Sequence, residues 1–266
     1  MKDNDAVLLE GVTVERGGRR LLENIDWRVR RGERWAVLGL NGSGKTTLVR
    51  MIAGFGFPSG GAVSVLGNRF GQTDLRELRQ GVGWVNGDLG LEVPLMQTVL
   101  DTVVSGRRGS LVVYDDPSRE ETEAARAALS SLGILRLEER RLGTLSSGER
   151  QAVWICRSLM SNPDLLILDE PCLALDPLAR EGFLSSLANL LRERPAMTAV
   201  MVTHHVEEIV AEFGHVLLVK EGRIAAQGRK GDVLAQTALS GIFGPRFRLS
   251  PMDGRFFMEL KAAGRP

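Results

Sequence analysis

Residues 39–47 read Gly-Leu-Asn-Gly-Ser-Gly-Lys-Thr-Thr, and this glycine-rich stretch constrains the fold more than any other part of the chain. The apolar run 35–38 before it is typical of a buried strand, and apolar residues at helical spacing follow it. A strand, a tight loop and a helix N-terminus together present backbone N–H groups and positive partial charge to an anion. The pattern G-x-x-x-x-G-K-[ST] in this context predicts a loop that binds the phosphates of a nucleoside triphosphate.

Two side chains of this loop have predicted roles. We expect Lys45 to reach the β- and γ-phosphates and the Thr46 hydroxyl to ligate Mg²⁺. The alternative is a glycine-rich strand-to-helix turn with an incidental lysine, which the full pattern in its proper context disfavours. The predicted phosphate-loop residues are Gly39, Leu40, Asn41, Gly42, Ser43, Gly44, Lys45, Thr46 and Thr47.

Bulk properties exclude several classes of protein. The net charge of +1 over 266 residues provides no electrostatic basis for binding nucleic acid or anionic lipid. No apolar run approaches the roughly 18–20 residues that span a bilayer, and the polar N-terminus lacks the apolar core of a signal peptide. Cys156 and Cys172 lie in apolar stretches, which favours core packing. We therefore expect a cytoplasmic protein that reaches a membrane only through a partner.

The periodicity predicts an α/β fold in three sections. Residues 7–30 alternate as antiparallel strands around a hairpin at Gly17 and Gly18, and residues 88–161 are predominantly helical. A capping box at Ser118 opens one of these helices. Strands are predicted at 62–66, 82–85, 165–168, 198–202, 216–219 and 224–226, and helices at 177–192 and 206–213. The pattern assigns no clear structure beyond about residue 231.

The strand at 165–168 runs into two carboxylates. In a phosphate-loop ATPase, an acid at such a strand end holds Mg²⁺, so Asp169 is the candidate metal residue beside Thr46. Glu170 follows and is placed to polarise the water that attacks the γ-phosphate. The two acids alone are a weak motif, and they become informative together with the loop at Lys45.

Residues 145–149, Leu-Ser-Ser-Gly-Glu, carry the decisive resemblance. With the motifs above, they resemble the signature of the ATP-binding cassette (ABC) ATPases, usually Leu-Ser-Gly-Gly-Gln. The resemblance covers roughly residues 7–230. It implies that the signature residues Leu145, Ser146, Ser147, Gly148 and Glu149 contact the γ-phosphate of a second subunit, in an ATP-dependent head-to-tail homodimer. Ser147 and Glu149 are mild departures from the family pattern. The alternative is an ordinary helix capped by serine, which the accompanying motifs disfavour.

The resemblance also implies an architecture: a P-loop ATPase core with an N-terminal antiparallel β-subdomain and an inserted α-helical subdomain. We expect one nucleotide-binding domain, with its core at residues 1–87 and 162–230, its helical subdomain at 88–161 and a C-terminal tail at 231–266. Residues 173–176 resemble the D-loop, in which Asp176 would cross the dimer interface, although a helix cap before Pro177 explains this residue equally well. His204 matches the switch histidine and would contact the γ-phosphate.

Two family positions do not match. Arg16 stands where an aromatic residue usually stacks on adenine; it is either a stacking guanidinium or a solvated charge at a strand end. We expect Gly87 to occupy the position of the loop glutamine that, in the family, meets Mg²⁺ and couples the core to the helical insert. Asn86 or Asp88 are the candidates for replacing that glutamine.

The leading hypothesis is a MgATP-hydrolysing subunit, with Glu170 as general base, that energises a separate transmembrane permease from the inner face of the cell membrane. Residues 98–107 and 239–243 look similar to segments of iron-siderophore, metal-chelate and molybdate-related importer ATPases. The alternative is an ABC ATPase that works without a permease, in regulation or on nucleic acid or ribosomes. A nucleotide-dependent dimerisation module without hydrolysis is a third class, which Glu170 and His204 disfavour.

Overall fold

The computed structural model of the chain describes residues 4–86, 94–108, 115–173, 175–244 and 247–260. The chain divides into two compact units. The first unit comprises residues 1–79 and 196–266, and the second comprises residues 80–195. Within the described ranges, none of the helices has the length and apolarity that a membrane span requires.

The first unit contains an antiparallel sheet of order β2-β1-β4-β5. Its long hairpin turns at Gly17 and Gly18, as predicted, and both glycines adopt a positive φ that suits a tight turn. Alternate residues of β2, including Trp27, are buried, so one face of this sheet lies on the core. The strands are β1 (Asp5–Arg16), β2 (Arg19–Arg30), β4 (Gly60–Val65) and β5 (Asn68–Arg69).

The first unit also contains the central strands, in the order β10-β9-β3-β8. β3 is parallel to both β8 and β9, and β10 returns antiparallel to β9. Strands buried on both faces read as continuous apolar runs, which explains the sequence pattern of β3, β8 and β9, whereas the edge strand β10 is partly exposed along its length. The strands are β3 (Arg34–Leu38), β8 (Thr198–Thr203), β9 (His215–Lys220) and β10 (Arg223–Arg229).

Among the residues that the structure describes, the first unit also has four α-helices and a hairpin. The helices are α1 (Lys45–Ile52), α2 (Leu75–Gln80), which ends at the boundary, α7 (Lys230–Val233) and α8 (Gln236–Phe243). The hairpin is the antiparallel pair β11 (Phe247–Met252) and β12 (Arg255–Leu260). Sequence periodicity did not predict this hairpin, because the alternation of β11 is short and stops at Pro251, and β12 contains the continuous apolar run 256–258.

The second unit pairs β6 (Val82–Val85) in parallel with β7 (Leu165–Asp169), and its described residues add four α-helices. The capping box at Ser118 is present as predicted, and Cys156 and Cys172 are both buried. The Cys156 thiol donates to the carbonyl of Ala128 at 3.2 Å. The helices are α3 (Val99–Ser105), α4 (Arg119–Ser131), α5 (Ser147–Leu159) and α6 (Pro177–Glu193).

The prediction of a helix over 206–213 is wrong. Only a 3₁₀ turn, Val206–Glu208, forms there, and the chain then runs irregularly to β9. The apolar spacing that predicted the helix is genuine, since Val206, Ile209, Val210 and Phe213 are all buried. Side chains from distant parts of the first unit bind the carbonyl groups of this segment, so burial of the apolar residues does not require helical hydrogen bonds.

Candidate active site

The loop at 39–44 connects the buried strand β3 to α1 in the first unit. Gly44 is the N-cap of α1 with φ +106°, a left-handed conformation that a residue with a side chain rarely adopts. Lys45 is buried, and its ammonium donates to the carbonyls of Gly39 at 2.9 Å and Leu40 at 3.0 Å. The positive charge is therefore held over the loop, at the N-terminus of the helix.

The backbone packs so closely that two loop glycines are required. A Cβ at Gly39 would lie 2.2 Å from the carbonyl oxygen of Val219, and one at Gly44 would lie 2.8 Å from that of Leu21. The carbonyl of Ser43 accepts a hydrogen bond from Gly222 N at 2.9 Å, so the turn between β9 and β10 is bonded directly to the loop. These contacts leave little freedom for the loop to change shape.

The hydroxyl of Ser43 is a buried polar atom with no hydrogen-bond partner in the described part of the chain. Its position in the loop, beside the Lys45 charge, fits a ligand that brings its own acceptor oxygens, such as a phosphate. Leu40, Asn41, Gly42 and Thr46 are exposed, and Thr47 is half-buried. The residues present therefore fit a triphosphate.

His204 directly follows β8 and lies beside the start of the phosphate loop. Leu38 of β3 is the register partner of Thr203 of the parallel strand β8, so Gly39 and His204 follow at the same edge of the sheet. The His204 ring is half-buried and lies 4.1 Å, between centroids, from the ring of His205. Within the first unit, the structure thus brings together two of the motifs that the sequence predicted.

The first unit also contains Arg16, at the end of β1. The residue is exposed, and its register partner across the hairpin is Arg19. A strand-end charge in solvent and a platform for a nucleobase are both compatible with this position, so the role of Arg16 stays a prediction.

In the second unit, Asp169 ends β7 and Glu170 follows with φ +49°. This left-handed conformation is unusual for a residue with a side chain, and strained backbone of this kind clusters at functional sites. Both carboxylates are half-buried. Val85 of β6 pairs with Leu168, so Asn86 leaves the strands beside Asp169. Gly87, the predicted position of the missing glutamine, and Asp88, the other candidate to replace it, lie outside the described residues.

The predicted signature forms the start of α5 in the second unit. Ser146 is the N-cap, and its hydroxyl accepts from Glu149 N at 3.3 Å, while a Glu149 carboxylate oxygen accepts from Ser146 N at 3.1 Å. This reciprocal capping box gives Glu149, a departure from the family glutamine, a local structural role. Leu145 is buried, and Ser147 is exposed.

Two effects act on the Glu149 carboxyl. Partial burial pushes its pKa upward, but the hydrogen bonds from Ser146 and the charge of Arg136, 3.2 Å away, outweigh burial. The pKa of Glu149 therefore lies below its ordinary value, and the carboxylate is ionised at neutral pH. Its negative charge is balanced locally by Arg136.

The signature helix packs against the helix that follows the D-loop. A Cβ at Gly148 would lie 3.2 Å from the Cβ of Ala179 on α6, which explains a small residue at this position. Asp176 caps α6 by accepting from the backbone N–H of Leu178 at 3.0 Å and of Ala179 at 2.9 Å, with Pro177 in the first turn. The capping explanation of Asp176 is therefore realised, and Ala174 lies outside the described residues.

The predicted magnesium residues are compatible with that ion. Mg²⁺ prefers oxygen ligands and usually takes only one or two protein groups together with phosphates and water. An exposed hydroxyl, Thr46, and a half-buried carboxylate, Asp169, match that ligand chemistry. No group of three or more His, Cys, Asp or Glu in the described ranges is arranged to hold a metal by itself. We expect any Mg²⁺ to bind with the nucleotide.

Sequence reasoning missed two features that structure reveals. The capping box at Ser146 and Glu149 has the spacing S-x-x-E, so the sequence did contain its signal. The second feature is Glu208, which is buried and accepts a hydrogen bond from the Thr203 hydroxyl. No local pattern identifies it, because an acidic residue in a predicted amphipathic helix is normally solvated.

Comparison with known proteins agrees with these motifs. The ABC transporter family matches residues 22–173. The chain belongs to the ABC transporter family. This cassette is 39% identical over 236 residues to an uncharacterized ABC transporter ATP-binding protein, YlmA, of Bacillus subtilis, covering 88% of the chain and 89% of the relative. It is 36% identical over 222 residues to the aliphatic sulfonates import ATP-binding protein SsuB 1 of Burkholderia lata, covering 84% of the chain and 63% of the relative.

Solved structures share the fold of the cassette. An inward-facing putative metal-chelate type ABC transporter matches with a TM-score of 0.77 at 27% identity over 96% of each chain. A dimeric post-hydrolysis structure of the cassette MJ0796, bound to ADP and Pi, matches with a TM-score of 0.71 at 25% identity. The match covers 84% of this chain and 98% of the MJ0796 chain. The P-loop ATPase fold is thereby confirmed. The chain is an ATP-binding, ATP-hydrolysing cassette of the kind that serves ABC transporters.

Proposed function

We propose that this cassette hydrolyses MgATP to energise a separate transmembrane permease that imports a small solute, for example an iron or other metal chelate. The observation that carries the catalytic part is the common sheet edge of the first unit. There, Lys45 lies over the phosphate loop and His204 follows the neighbouring strand. This arrangement supports a site that binds a triphosphate and contacts its γ-phosphate.

Each predicted residue has a proposed role. Lys45 and the loop N–H groups bind the phosphates and stabilise the charge that develops on them. Glu170 accepts the proton of the attacking water, and His204 hydrogen-bonds the γ-phosphate and orients that water. Thr46 and Asp169 would hold Mg²⁺, which when bound neutralises phosphate charge and orients the leaving group. Arg16 is the candidate for stacking on adenine.

We propose further that two copies of the chain close head-to-tail on ATP. The N-terminus of α5, with Ser146, Ser147 and Gly148, would then contact the γ-phosphate bound by the partner, and Asp176 would face the same interface. The dimeric cassette bound to ADP and Pi, described above, supports this assembly. Such a cycle of closing and opening would convert hydrolysis into work on the permease. Direct contact with nucleic acid is not part of the proposal.

The importer assignment rests on the named relatives. One similar chain is an aliphatic sulfonates import protein, and one similar structure is a putative metal-chelate type transporter, so these names support import but differ in the solute. We propose that the cassette acts at the inner face of the cell membrane, where it is held by the permease. The division into a core at 1–87 and 162–230 and a helical subdomain at 88–161 stays a prediction.

Two variants test the catalytic part. Glu170→Gln should lower the turnover number by roughly 10²–10⁴ and trap an ATP-bound dimer, measured by phosphate release and by size-exclusion chromatography with ATP. Lys45→Ala should abolish tight ATP binding in a titration. Normal turnover in the first variant would remove Glu170 from the mechanism, and unchanged binding in the second would overturn the assignment of the loop.

The permease is tested separately by affinity purification of the tagged chain from detergent-solubilised membranes. Co-purification of a protein with several membrane spans supports the transporter. Recovery of only soluble or ribosomal proteins would favour the alternative, a cassette that works without a permease. The loop at 86–88, where the family glutamine is missing, is the feature that keeps this alternative open.

A further inference from the structure

The segment that follows His204 is bound by two cations from later in the chain. Arg255 donates through Nε to the carbonyl of Glu207 at 2.8 Å, and its Nη2 donates to the same oxygen. Lys230 donates through Nζ to the carbonyls of Val210 at 3.1 Å and Ala211 at 3.4 Å. These donors take the place of the helical N–H groups that this segment lacks.

Both cations also connect this segment to the C-terminal hairpin, which we define as β11 and β12. Arg255 is the first residue of β12. Lys230 also donates to the carbonyl of Gly254, in the turn of the hairpin, at 2.8 Å. A Cβ at Gly254 would lie 3.0 Å from the Cβ of Ala211, so the turn of the hairpin packs tightly on the segment after His204.

A second set of bonds closes the same segment next to the sheet. The Thr203 hydroxyl accepts from His205 N at 3.0 Å and donates to the carboxylate of Glu208, which is only 4% exposed. Glu208 N in turn donates to the carbonyl of His205 at 3.3 Å. His204 is therefore the second residue of a closed turn, 203–208, with Thr203 and Glu208 at its two ends.

We propose that Arg255 is a positioning residue for His204, and that the C-terminal hairpin acts as a clamp on the turn 203–208. The inference rests on the proposed role of His204 in ATP hydrolysis. Irregular segments open at low free energy, and a planar guanidinium that donates twice to one carbonyl restrains that carbonyl in direction as well as distance. Fixing Glu207 limits how the turn moves and thereby how the His204 ring is presented at the sheet edge.

The kinetic test uses the full-length chain. Arg255→Ala should lower the turnover number about tenfold with KM for ATP changed less than about twofold, because binding is intact and orientation is lost; a misplacement of 1 Å at a catalytic group costs about 10²-fold. Arg255→Lys should recover part of the loss. The matched control is Arg248→Ala, an exposed arginine on the other strand of the hairpin, which should turn over normally.

A double-mutant cycle separates positioning from general damage. In the His204→Ala background, which should have only residual activity, adding Arg255→Ala should produce no further loss, since the group being positioned is gone. A tenfold loss in both backgrounds would overturn the proposal, as would normal turnover of Arg255→Ala alone. If instead His204→Ala itself turns over normally, the proposed catalytic role of His204 fails, and the two failures are thus distinguishable.

The histidine resonances provide a readout that does not depend on activity. The chain has three histidines, so their ring signals in NMR spectra are few enough to assign by substitution. Arg255→Ala should shift or broaden the signals of His204 and His205 and leave that of His215, which stacks on Trp35 with centroids 4.9 Å apart. Unchanged signals for all three histidines would contradict the clamp. An equal change in all three would indicate general loosening and would also contradict it.

Discussion

Val85 and Leu168 are register partners on the parallel strands β6 and β7, and their pairing puts Asn86 beside Asp169 at the carboxyl end of both strands. This edge is where parallel sheets position residues that act on ligands. The amide of Asn86 is half-buried there. The relationship makes Asn86 a stronger candidate for supporting the predicted metal residue, Asp169, than the sequence alone indicated.

We therefore predict that Asn86→Ala raises the Mg²⁺ concentration for half-maximal ATPase activity roughly tenfold, which is the scale of losing a group next to a metal ligand. Titration of Mg²⁺ at saturating ATP measures the effect. Asn189→Ala, an exposed residue on α6, serves as the control and should leave the titration unchanged. If the Mg²⁺ titration curves of Asn86→Ala and the wild type superimpose, Asn86 does not replace the missing loop glutamine.

The conformation of Glu170 predicts a conflict between stability and activity. Its φ of +49° is accessible to glycine without strain, whereas other residues lose about 1–2 kcal/mol in the left-handed region. Glu170→Gly should therefore be more stable than Glu170→Gln by about 1 kcal/mol, although we expect both variants to lose hydrolysis. Thermal or urea unfolding without nucleotide measures the difference. Equal or reversed stability would mean that the surrounding fold does not impose this strain.

Two glycine-to-alanine changes should act in opposite directions. Gly182 lies inside α6, is exposed and would place its Cβ in open space, so Gly182→Ala should raise the unfolding free energy by about 0.5–1 kcal/mol with unchanged turnover. Gly39→Ala forces a Cβ to within 2.2 Å of the Val219 carbonyl. That variant should lose both stability and ATP binding, as seen by unfolding and by nucleotide titration. Retained ATP affinity in Gly39→Ala would contradict the close packing of the loop.

The helical part of the second unit contains a pH-dependent contact. Hydrogen bonds from Arg108, at 2.8 Å, and from Ser118 lower the pKa of Glu121 to about 2 from an ordinary value of 4.5. Because the folded-state pKa is depressed, the stabilisation is complete above the unfolded value of about 4.5 and declines as the pH falls towards 2. The melting temperature of the wild type should exceed that of Glu121→Gln at pH 7, and the gap should narrow below pH 4.5. A gap independent of pH would contradict this ionic contribution.

Local patterns predicted most of the elements. The alternation in β1 and β2, the glycine turn at 17–18 and the capping box at Ser118 were each visible in short stretches of sequence, because hydrogen bonding and burial there follow local spacing. The exceptions are the segment 206–213 and the C-terminal hairpin. In the segment 206–213, the partners of the backbone carbonyls come from residues far away in the chain, such as Arg255 and Lys230, and no local spacing contains that information. The strands of the hairpin pair with each other, but Pro251 and the apolar run 256–258 obscure their alternation.

By itself, the sequence determined the chemistry of this protein. The glycine loop at 39–44, Lys45, the acids at 169–170 and the signature at 145–149 specify a phosphate site and a hydrolytic cassette, because each depends on residue type at close spacing. Only the tertiary structure decided which of these groups are neighbours within each unit. Strand register is a property of pairing between distant segments, and it alone puts His204 beside the phosphate loop and Asn86 beside Asp169.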